Sequence, residues 1–420
     1  MFLTPPRLQA WIAALKADPQ TRITPEDNDP WDPMPPETSW GLTVYATAYF
    51  GIDSDAKEAR LRKAIPASFR AFDALTQERM THYHDERVRH RDKPYSSKQG
   101  SSAWIGMEER YAATDNQATI NSFSGALKGA SPDFKFRSIA SFHPKLRVGT
   151  PLYMLDYLSV SVPLGFFKTQ HNAFMQWWQS TVTDLEPAQA YMGLCIGMPS
   201  ELESMGAIEP ADCALARAFY GYDIDKPFFM RSNEHDGLYL DDGMRTPSFG
   251  VLVRGEYLQK LGGADTLRSR LLHPDIRVSD LAGGLWIEAG QEPQLYPVEE
   301  GIPGAMAQVA QALKPVRLER MKLTGMLEVT PRTDIFTVET AKTWLARFDG
   351  WTPTAHGGSP ASTPPALSAL PGTPCPLEGW WFAPNDGMRE LFMRAGEPMP
   401  GQGGRGAVGS VIWYYKQVQK

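Results

Sequence analysis

The stretch LDYLSVSVPLGFFKTQHNAFMQWWQSTVTDLEPAQAYMGLCIGM, residues 155–198, contains the pattern that decides the fold. Apolar, β-branched and aromatic residues fill 155–167, which predicts a strand, and a second strand is predicted over 189–198. Between them, residues 171–185 place large apolar side chains at the spacing of an amphipathic helix. The order in this part of the chain is therefore strand, helix, strand.

A second unit of comparable order lies further along the chain. Residues 248–258 and 283–290 have strand character, and a helix is predicted between them over roughly 264–272. The two halves, about 40–225 and 245–350, suggest a pseudo-repeat. Because the strands alternate or carry small residues, we predict an α+β fold of mostly antiparallel sheet or sheets packed with helices.

The composition divides the chain into four parts. Residues 1–39 read as an irregular acidic lead-in, and residues 40–350 form the main α+β domain. Residues 351–374 are rich in Pro, Ser, Thr, Ala and Gly. Such a segment buries too little apolar surface to offset its ordering entropy, so we predict a linker there. Residues 375–420 contain short strand-like pieces and predict a small C-terminal β module, which must dock to be stable.

The composition also limits the function. Of the 420 residues, 42% are hydrophobic and 11% aromatic, so a large core can form. A net charge of −6 argues against a protein that binds nucleic acid directly. The three cysteines are too few and too far apart for a disulfide framework, which favours a reducing compartment. Neither a signal peptide nor a membrane-spanning run is apparent, so we expect a soluble, cytoplasmic protein.

A histidine-rich segment is the one candidate for catalysis. His82 and His84 alternate, as on a strand, and could share a metal ion with Asp85 in a metal-dependent hydrolase. His90 is a further possible ligand, but five Arg and Lys residues crowd the segment and disfavour a cation. The sequence contains no GxSxG, HExxH, Walker A or GxGxxG motif in the required context. We therefore expect no catalytic residue, no metal and no cofactor.

The distribution of acidic residues is more informative. Three segments contain carboxylates and no Lys or Arg: residues 24–37 of the lead-in, residues 232–243, and the stretch between Arg277 and Lys314. The candidate partner-binding residues among them are Glu26, Asp27, Asp29, Asp32, Glu234, Asp236, Asp241, Asp242, Glu299 and Glu300. Solvated loops are often acidic, which is the plain explanation. The alternative is a negative surface for a basic partner, which would speed encounter and reject other proteins.

An aromatic cluster stands behind the linker, at Trp380, Trp381 and Phe382. Two hypotheses account for it. The cluster could dock on the main domain as a clip, which we prefer because permanent exposure of both indoles would be unusual. It could instead supply an aromatic anchor to a protein partner, since Trp is enriched among interface hot spots.

Several segments together resemble a known family. They are LSVSVPLGFF (158–167), QAYMGLCIG (189–197), DDGMRTPSFGVLV (241–253), GGLWIEAG (283–290) and CPLEGWW (375–381). Their order and character are similar to those of the type VI secretion immunity family (TsiV-like), formerly a domain of unknown function. The resemblance covers roughly residues 38–349 and the tail cluster. Residues 78–140 look like an irregular addition to the family pattern.

The resemblance implies an immunity protein, or antitoxin, without enzymatic activity. Such a protein would bind a cognate type VI effector toxin, a basic nuclease, and neutralise it by stoichiometric occlusion in the cytoplasm. The acidic loops fit this expectation, because nucleases carry basic clefts for phosphate. An effector-loading adaptor or chaperone would also bind a toxin, but it would leave the toxin active. Neither the oligomeric state nor the blocked surface follows from the sequence.

Overall fold

The computed structural model describes residues 3–26, 38–83, 96–97, 111, 113–114, 117–124, 131–150, 153–197, 205–231, 238–323, 334–351, 368–369, 374–376, 378–383, 389–400 and 413–415. Ten strands form the main sheet. They are β1 (Leu42–Phe50), β2 (His82–Tyr83), β3 (Ser96–Ser97), β4 (Gln117–Phe123), β5 (Lys135–Ser141), β6 (Asp156–Pro163), β7 (Gln189–Ile196), β8 (Gly250–Arg254), β9 (Ile276–Leu281) and β10 (Gly284–Ala289).

The described helices flank this sheet. They are α1 (Pro5–Ala17), α2 (Asp55–Leu75), α3 (Leu164–Thr169), α4 (His171–Leu185), α5 (Met205–Ala218), α6 (Pro227–Met230), α7 (Gly255–Lys260), α8 (Ala264–Ser269), α9 (Gly304–Leu313) and α10 (Val338–Leu345). Short 3-10 turns occur at Pro144–Leu146, Val298–Glu300 and Lys314–Val316.

The strands lie in the order β3-β2-β4-β5-β6-β1-β7-β8-β10-β9, and each neighbouring pair is antiparallel. The prediction of an α+β fold with a mostly antiparallel sheet is therefore confirmed. Both predicted halves contribute strands to one sheet. In each half, two parallel strands lie on either side of one antiparallel strand, and a helical connection joins the two parallel strands. Strands β6 and β7 flank β1 in the first half, and β8 and β9 flank β10 in the second.

Strand β1 lies near the middle of the sheet, and all nine of its residues are buried. Val44 and Ala46 belong to the apolar cluster on the face covered by α2 and α4. Tyr45 and Tyr49 belong to the cluster on the opposite face. Because strand side chains alternate between faces, both faces of the sheet must be covered at this strand. The first face is apolar, whereas the second carries hydroxyl groups.

Aromatic side chains fix the helical layer on the apolar face. The Phe72 and Trp177 rings, from α2 and α4, have centroids 4.8 Å apart. Phe69 of α2 meets Phe136 of β5 edge-on at 5.1 Å. Trp177 also donates a hydrogen bond of 3.1 Å from its indole nitrogen to the Ser68 carbonyl oxygen. Burying each such side chain stabilises the fold by roughly 1.5–3 kcal/mol, so this layer is a main source of stability.

Two strands end earlier than the sequence predicts. The strand predicted over 155–167 ends at Pro163, where α3 begins, and the one predicted over 248–258 ends at Arg254, where α7 begins. Proline has no N–H to donate to a sheet ladder, and Gly255 has a φ of +55°, which favours glycine. The apolar residues beyond these two points therefore lie on short helices.

The expectation that residues 78–140 form an irregular addition is wrong, because the short strands β2 and β3 lie there as well as two longer strands. Strands β4 and β5 lie in this stretch, and they extend the sheet beyond β6. All seven residues of β5 are buried, including Lys135 and Arg137. Two cations in a short run obscure the strand pattern, which explains why the sequence did not reveal it.

The lead-in over residues 1–39 is not irregular throughout either. Residues Pro5–Ala17 form α1, which buries Trp11 and Leu15. The Trp11 indole donates a 3.0 Å hydrogen bond to the Thr21 carbonyl oxygen, and this bond ties the helix to the segment that follows. Within the described ranges, no helix combines the length and the apolar character needed to cross a bilayer.

A second sheet of four strands lies near the C-terminus. Its strands are β11 (Ser368–Ala369), β12 (Gly379–Ala383), β13 (Arg389–Met393) and β14 (Trp413–Tyr415), in the order β11-β14-β12-β13. Strand β11 falls inside the linker predicted over 351–374, so that segment is not wholly without secondary structure. Most of the predicted linker lies outside the described residues.

Candidate functional site

Basic side chains of helix α1 form ion pairs with two of the acidic residues predicted to bind a partner. Arg7 forms an ion pair with Glu26 at 3.4 Å, and Lys16 forms one with Glu299. Burial would raise the pKa of Glu299, but the hydrogen bond and charge of Lys16 outweigh burial and lower it. Exposed pairs of this kind contribute at most about 1 kcal/mol. These two carboxylates are thus already matched by basic side chains.

Glu26, Glu299 and Glu300 lie at one end of the main sheet, which we call the α1 end. Glu26 follows Ile23, which pairs with Trp40 just before β1. Glu299 and Glu300 belong to the turn after β10. Strands β10 and β1 run in opposite directions, so β10 ends at the end of the sheet where β1 begins. Glu300 is exposed.

Asp241 and Asp242 lie at the opposite end of the sheet, which we call the β7-start end. Gln189, the first residue of β7, donates hydrogen bonds to the carbonyl oxygens of Leu240 and Gly243, at 2.5 and 2.9 Å. These bonds hold the acidic turn against the sheet. Asp242 is exposed, and Asp241 is partly buried. The described acidic residues therefore fall into two groups at opposite ends.

Asp241 faces two tyrosines at this end. Burial and then the charge of Asp241 raise the pKa of Tyr153. Burial likewise raises the pKa of Tyr257 to about 12, and the neighbouring carboxylates add to the shift. Both phenols therefore stay neutral at physiological pH. The other predicted partner-binding residues Asp27, Asp29, Asp32, Glu234 and Asp236 lie outside the described residues.

The aromatic cluster of the tail is divided by strand alternation. Trp381 is fully buried, whereas Trp380 is 46% exposed. Trp380 pairs in register with Phe392 of β13, and the two rings meet edge-on with centroids 5.7 Å apart. Phe392 is 51% exposed, so the two rings form an exposed apolar pair. The backbone of Phe382 pairs with Glu390, while its side chain lies outside the described residues.

His82, proposed above as a metal ligand, lies on β2. Its Nδ1 is 2.8 Å from the hydroxyl oxygen of Thr81, and its ring stacks on Phe123 at 6.3 Å. Partial burial lowers its pKa, which favours the neutral imidazole. The predicted co-ligands His84 and Asp85, with His90, lie outside the described residues. Among the described residues, no cluster of three or more His, Cys, Asp or Glu side chains could hold a metal ion.

A buried ionic network under β1 is the feature that sequence reasoning missed. Arg245 is fully buried and lies 3.1 Å from Asp225 and 4.0 Å from Asp223. It also donates a 2.7 Å hydrogen bond to the Tyr45 hydroxyl and stacks on Tyr191, 4.4 Å from the ring centre. Burial works against its charge, but the neighbouring carboxylates raise the pKa of Arg245 well above its usual value. This arginine therefore stays charged.

Two further ion pairs extend the network. Lys226 contacts Asp212 at 2.9 Å, and Tyr222 donates a short hydrogen bond to the same carboxylate. Arg231 contacts Asp156 at 3.3 Å. Burial raises the pKa of Asp156 from 3.8 to about 6, even though Ser141 and Arg231 act in the opposite direction. Arg245, Lys226, Arg231 and their carboxylate partners thus lie inside the protein and pair with each other.

This arrangement suits a structural role. A buried ion pair holds its partners in one geometry, and losing one partner leaves an uncompensated charge. The sequence contains a signal for it, because Asp212, Asp223, Asp225 and Lys226 stand singly or in pairs among apolar residues over 205–231. Acidic residues in a solvated loop come in runs instead. All three cysteines are buried and have free thiols, in agreement with the expectation from their spacing that they form no disulfide framework.

Comparison with solved structures shows that the fold occurs in another protein. The Pseudomonas aeruginosa T6SS protein PA0821 matches with a TM-score of 0.67 and 22% sequence identity, covering 82% of this chain and 91% of that chain. At this identity the match establishes a shared fold. No curated protein matches the sequence significantly.

The family comparison is more specific. The model of the TsiV family, described as type VI immunity for VRR-NUC, matches residues 64–348, which is more than half of the chain. The match spans strands from both predicted halves of the sheet, and it includes the buried ionic network. This chain belongs to the TsiV family of type VI immunity proteins.

Proposed function

We propose that the protein neutralises a cognate VRR-NUC effector by binding it in a one-to-one complex that covers its nucleic-acid-binding groove. The observation that carries this proposal is the family match over residues 64–348. The family description supplies the class of target, a nuclease toxin. The mode of neutralisation follows from charge, because a nuclease groove must be basic to hold phosphate.

The geometry supports binding in preference to turnover. Arg245 and Asp156, two groups with strongly shifted pKa values, are buried and paired, so they cannot reach a substrate. The net charge of −6 and the exposed carboxylates of Asp242 and Glu300 fit a basic partner. Such complementarity raises association rates and rejects wrong partners.

The exposed pair Trp380 and Phe392 supplies the apolar anchor in this proposal. Tryptophan is enriched in hot spots because a rigid aromatic side chain buries a large area at low entropic cost. Trp381 is fully buried and therefore belongs to the protein's own packing. In this proposal one indole of the tail cluster is buried within the protein and the other contacts the effector. We place the complex in the cytoplasm, where the buried cysteines remain reduced thiols.

The test is an inhibition titration with the purified effector and plasmid DNA. Cleavage should fall in proportion to added protein and stop at one equivalent, because one copy covers one groove. A complex that forms without loss of cleavage would instead support an adaptor. Complete inhibition at far less than one equivalent of added protein would mean that each copy inactivates more than one effector molecule. That result would refute occlusion.

The two acidic ends can be separated with paired variants. One variant carries Asp241→Asn and Asp242→Asn at the β7-start end, and the other carries Glu299→Gln and Glu300→Gln at the α1 end. Neutralising the end that faces the effector should lower the association rate about tenfold at low salt. Asp265→Asn with Asp280→Asn is the charge-matched control, since both side chains are exposed beside Arg268, at the β9 edge of the sheet. Equal effects from all three variants would indicate that the association rate depends on net charge alone.

A further inference from the structure

The edges of the two sheets are places where a strand has a neighbour on one side only. Among the described strands, β3 and β9 lie at the edges of the main sheet, and β11 and β13 lie at those of the C-terminal sheet. An edge strand presents a row of unpaired backbone N–H and C=O groups, to which another chain can pair. Proteins blunt such edges by keeping the strand very short or by placing charged residues or proline on it.

Three of these four edges are blunted. Strands β3 and β11 have two residues each. Strand β9 is longer, but it carries Arg277 and Asp280. Arg277 forms an ion pair with Glu288 at 2.9 Å, and Asp280 forms one with Arg268 at 2.6 Å. A strand added beside β9 would have to accommodate both of these charged side chains.

Strand β13 is the exception. It runs over Arg389–Met393 and pairs with β12 on one side. Charged residues occupy only its first two positions, and Leu391, Phe392 and Met393 follow. Phe392 is 51% exposed, and Leu391 and Met393 are partly exposed. An apolar edge of this kind favours pairing with another strand.

A strand added beside β13 would pair with backbone groups and cover apolar side chains at the same time. Trp380 and Phe392 occupy opposite positions on β12 and β13, so their side chains share one face of the sheet. Side chains opposite each other on neighbouring strands have Cβ atoms about 4.5–5.5 Å apart. An apolar side chain of the added strand would therefore contact Phe392 and extend the ring pair. In strand addition, backbone bonds supply affinity and alternate side chains supply specificity.

The small size of the edge argues against a second copy of this chain as the occupant. Five residues in an extended strand span about 17 Å. Two strands of that length cover a narrow strip, which falls short of the roughly 1,200–2,000 Å² that a stable interface buries. The effector is a better occupant, because in the proposed complex it also contacts other surfaces of this chain. The added strand is then one part of a larger interface.

We propose that an extended segment of the effector adds to the C-terminal sheet beside β13, with an apolar or aromatic side chain against Phe392. This inference rests on the proposed function and specifies how the tail contacts the effector. The segment forms a fifth strand of the C-terminal sheet. The exposed ring pair is then one face of a sheet that is continuous between the two proteins.

Proline substitutions test the pairing. Along β13 the N–H groups point alternately to β12 and to the open side. Of Leu391→Pro and Phe392→Pro, one therefore breaks the β12–β13 ladder and lowers the melting temperature. The other removes an outward N–H and should melt like the wild type, because an edge strand tolerates proline there. This stable variant should bind the effector about tenfold more weakly.

The matched control is a proline at the other long edge. Gly290 donates a hydrogen bond to the Asp275 carbonyl oxygen, so the odd-numbered residues of β9 bond to β10. The N–H of Val278 therefore points to the open side of β9. Val278→Pro should leave effector binding unchanged, whereas equal weakening by both prolines would overturn the proposal.

Hydrogen exchange of the unmodified chain is an independent test. The outward amides of β13 should exchange rapidly in the free protein and slowly in the complex, while those of β9 should exchange alike in both. Unchanged exchange of β13 in a complex that still blocks cleavage would refute strand addition and leave occlusion standing. A wild-type chain that does not bind the effector would overturn both proposals. A dimer of the free chain that the stable proline variant dissociates would assign the edge to a second copy and overturn this one.

Discussion

At the scale of single residues, the most informative side chains are the buried charges beneath β1. Arg245 makes contacts with strand β1 through Tyr45, with β7 through Tyr191 and with the 223–225 segment through Asp225. It therefore joins parts of the chain that are up to 200 residues apart. A side chain with this many partners fixes the relative positions of the elements it contacts.

Arg245→Met tests this role. The substitution keeps a long side chain but removes the cation that contacts both Asp223 and Asp225, which typically costs about 3–5 kcal/mol. The free energy of unfolding in urea should fall by that amount. Arg268→Met is the matched control, because Arg268 makes a surface pair with Asp280 and should cost less than about 1 kcal/mol. Equal losses in the two variants would refute the structural role.

Asp156 makes the stability depend on pH. Burial raises its pKa from 3.8 to about 6 in the folded protein. Because the folded pKa is the higher one, the contribution of Asp156 is complete below about pH 4 and is lost as the pH rises through 6. The shift corresponds to about 3 kcal/mol between those limits.

Asp156→Asn should remove this component of the pH profile. The difference in unfolding free energy between wild type and variant should therefore change between pH 4 and pH 6 and stay constant above about pH 7. Urea titrations at a series of pH values measure it. Asp280→Asn, at an exposed position, should keep the wild-type profile in this range. A constant difference across the whole series would show that Asp156 does not titrate there.

At the scale of elements, the ends of helices and strands depend on a few contacts. The turn after α10 illustrates this, because Asp349 accepts two hydrogen bonds from Arg317, at 2.6 and 2.8 Å, and contacts Lys314 at 3.0 Å. These bonds tie the end of α10 to the 3-10 turn at Lys314–Val316. The Arg317 hydrogen bonds, helped by Lys314, lower the pKa of Asp349 to about 2.

Asp349→Asn should therefore make the protein less sensitive to acid. The folded pKa of Asp349 is the lower one, so its contribution is present above about pH 4 and is lost as the pH falls toward 2. In the variant, this part of the acid destabilisation should be absent. Amide hydrogen exchange in α10 at pH 3 and pH 5 measures it locally. Exchange in α10 that is equally pH-dependent in both proteins would contradict the prediction.

The C-terminal sheet allows a test with two neighbouring tryptophans. Trp381→Ala empties a fully buried site and should destabilise this sheet by about 3–5 kcal/mol. Trp380→Ala removes a half-exposed ring and should cost less stability, but it should weaken effector binding by 2 kcal/mol or more if Trp380 is the anchor. Hydrogen exchange of β12–β13 and binding calorimetry separate the two effects. If both variants bind the effector as tightly as the wild type does, the tail is excluded from the interface.

Prediction from the sequence succeeded where the pattern was local. The helix over 171–185 was predictable because one of its faces is apolar along the whole element. The strand over 189–198 was predictable because both of its faces are apolar. Strand β5 was not predictable, because its inward positions carry Lys135 and Arg137, whose burial depends on partners far away in the sequence. The same limit applied to the binding residues, since spacing along the chain does not reveal that Glu299 and Asp241 lie at opposite ends of the sheet.

At the scale of the whole molecule, charge should govern encounter with the effector. The chain carries a net charge of −6, and its target is expected to be basic. The association rate constant should therefore fall by roughly tenfold between about 0.01 M and 0.15 M salt, as the screening length shortens from about 30 to 8 Å. The dissociation rate should change little. Stopped-flow measurements over a salt series decide this, and a flat series would exclude electrostatic steering.

The position of β1 between β6 and β7 has a consequence for biosynthesis. Both neighbours of this strand are encoded more than a hundred residues after it, since β1 ends at Phe50 and β7 ends at Ile196. At about 5–20 residues per second, a ribosome completes the second neighbour roughly 7–30 s after it completes β1. Until β6 and then β7 are made, a strand that is buried along its whole length lacks one or both of its neighbours. We therefore expect the nascent chain to be prone to aggregation until these strands pair, and the yield of folded protein to depend on translation speed.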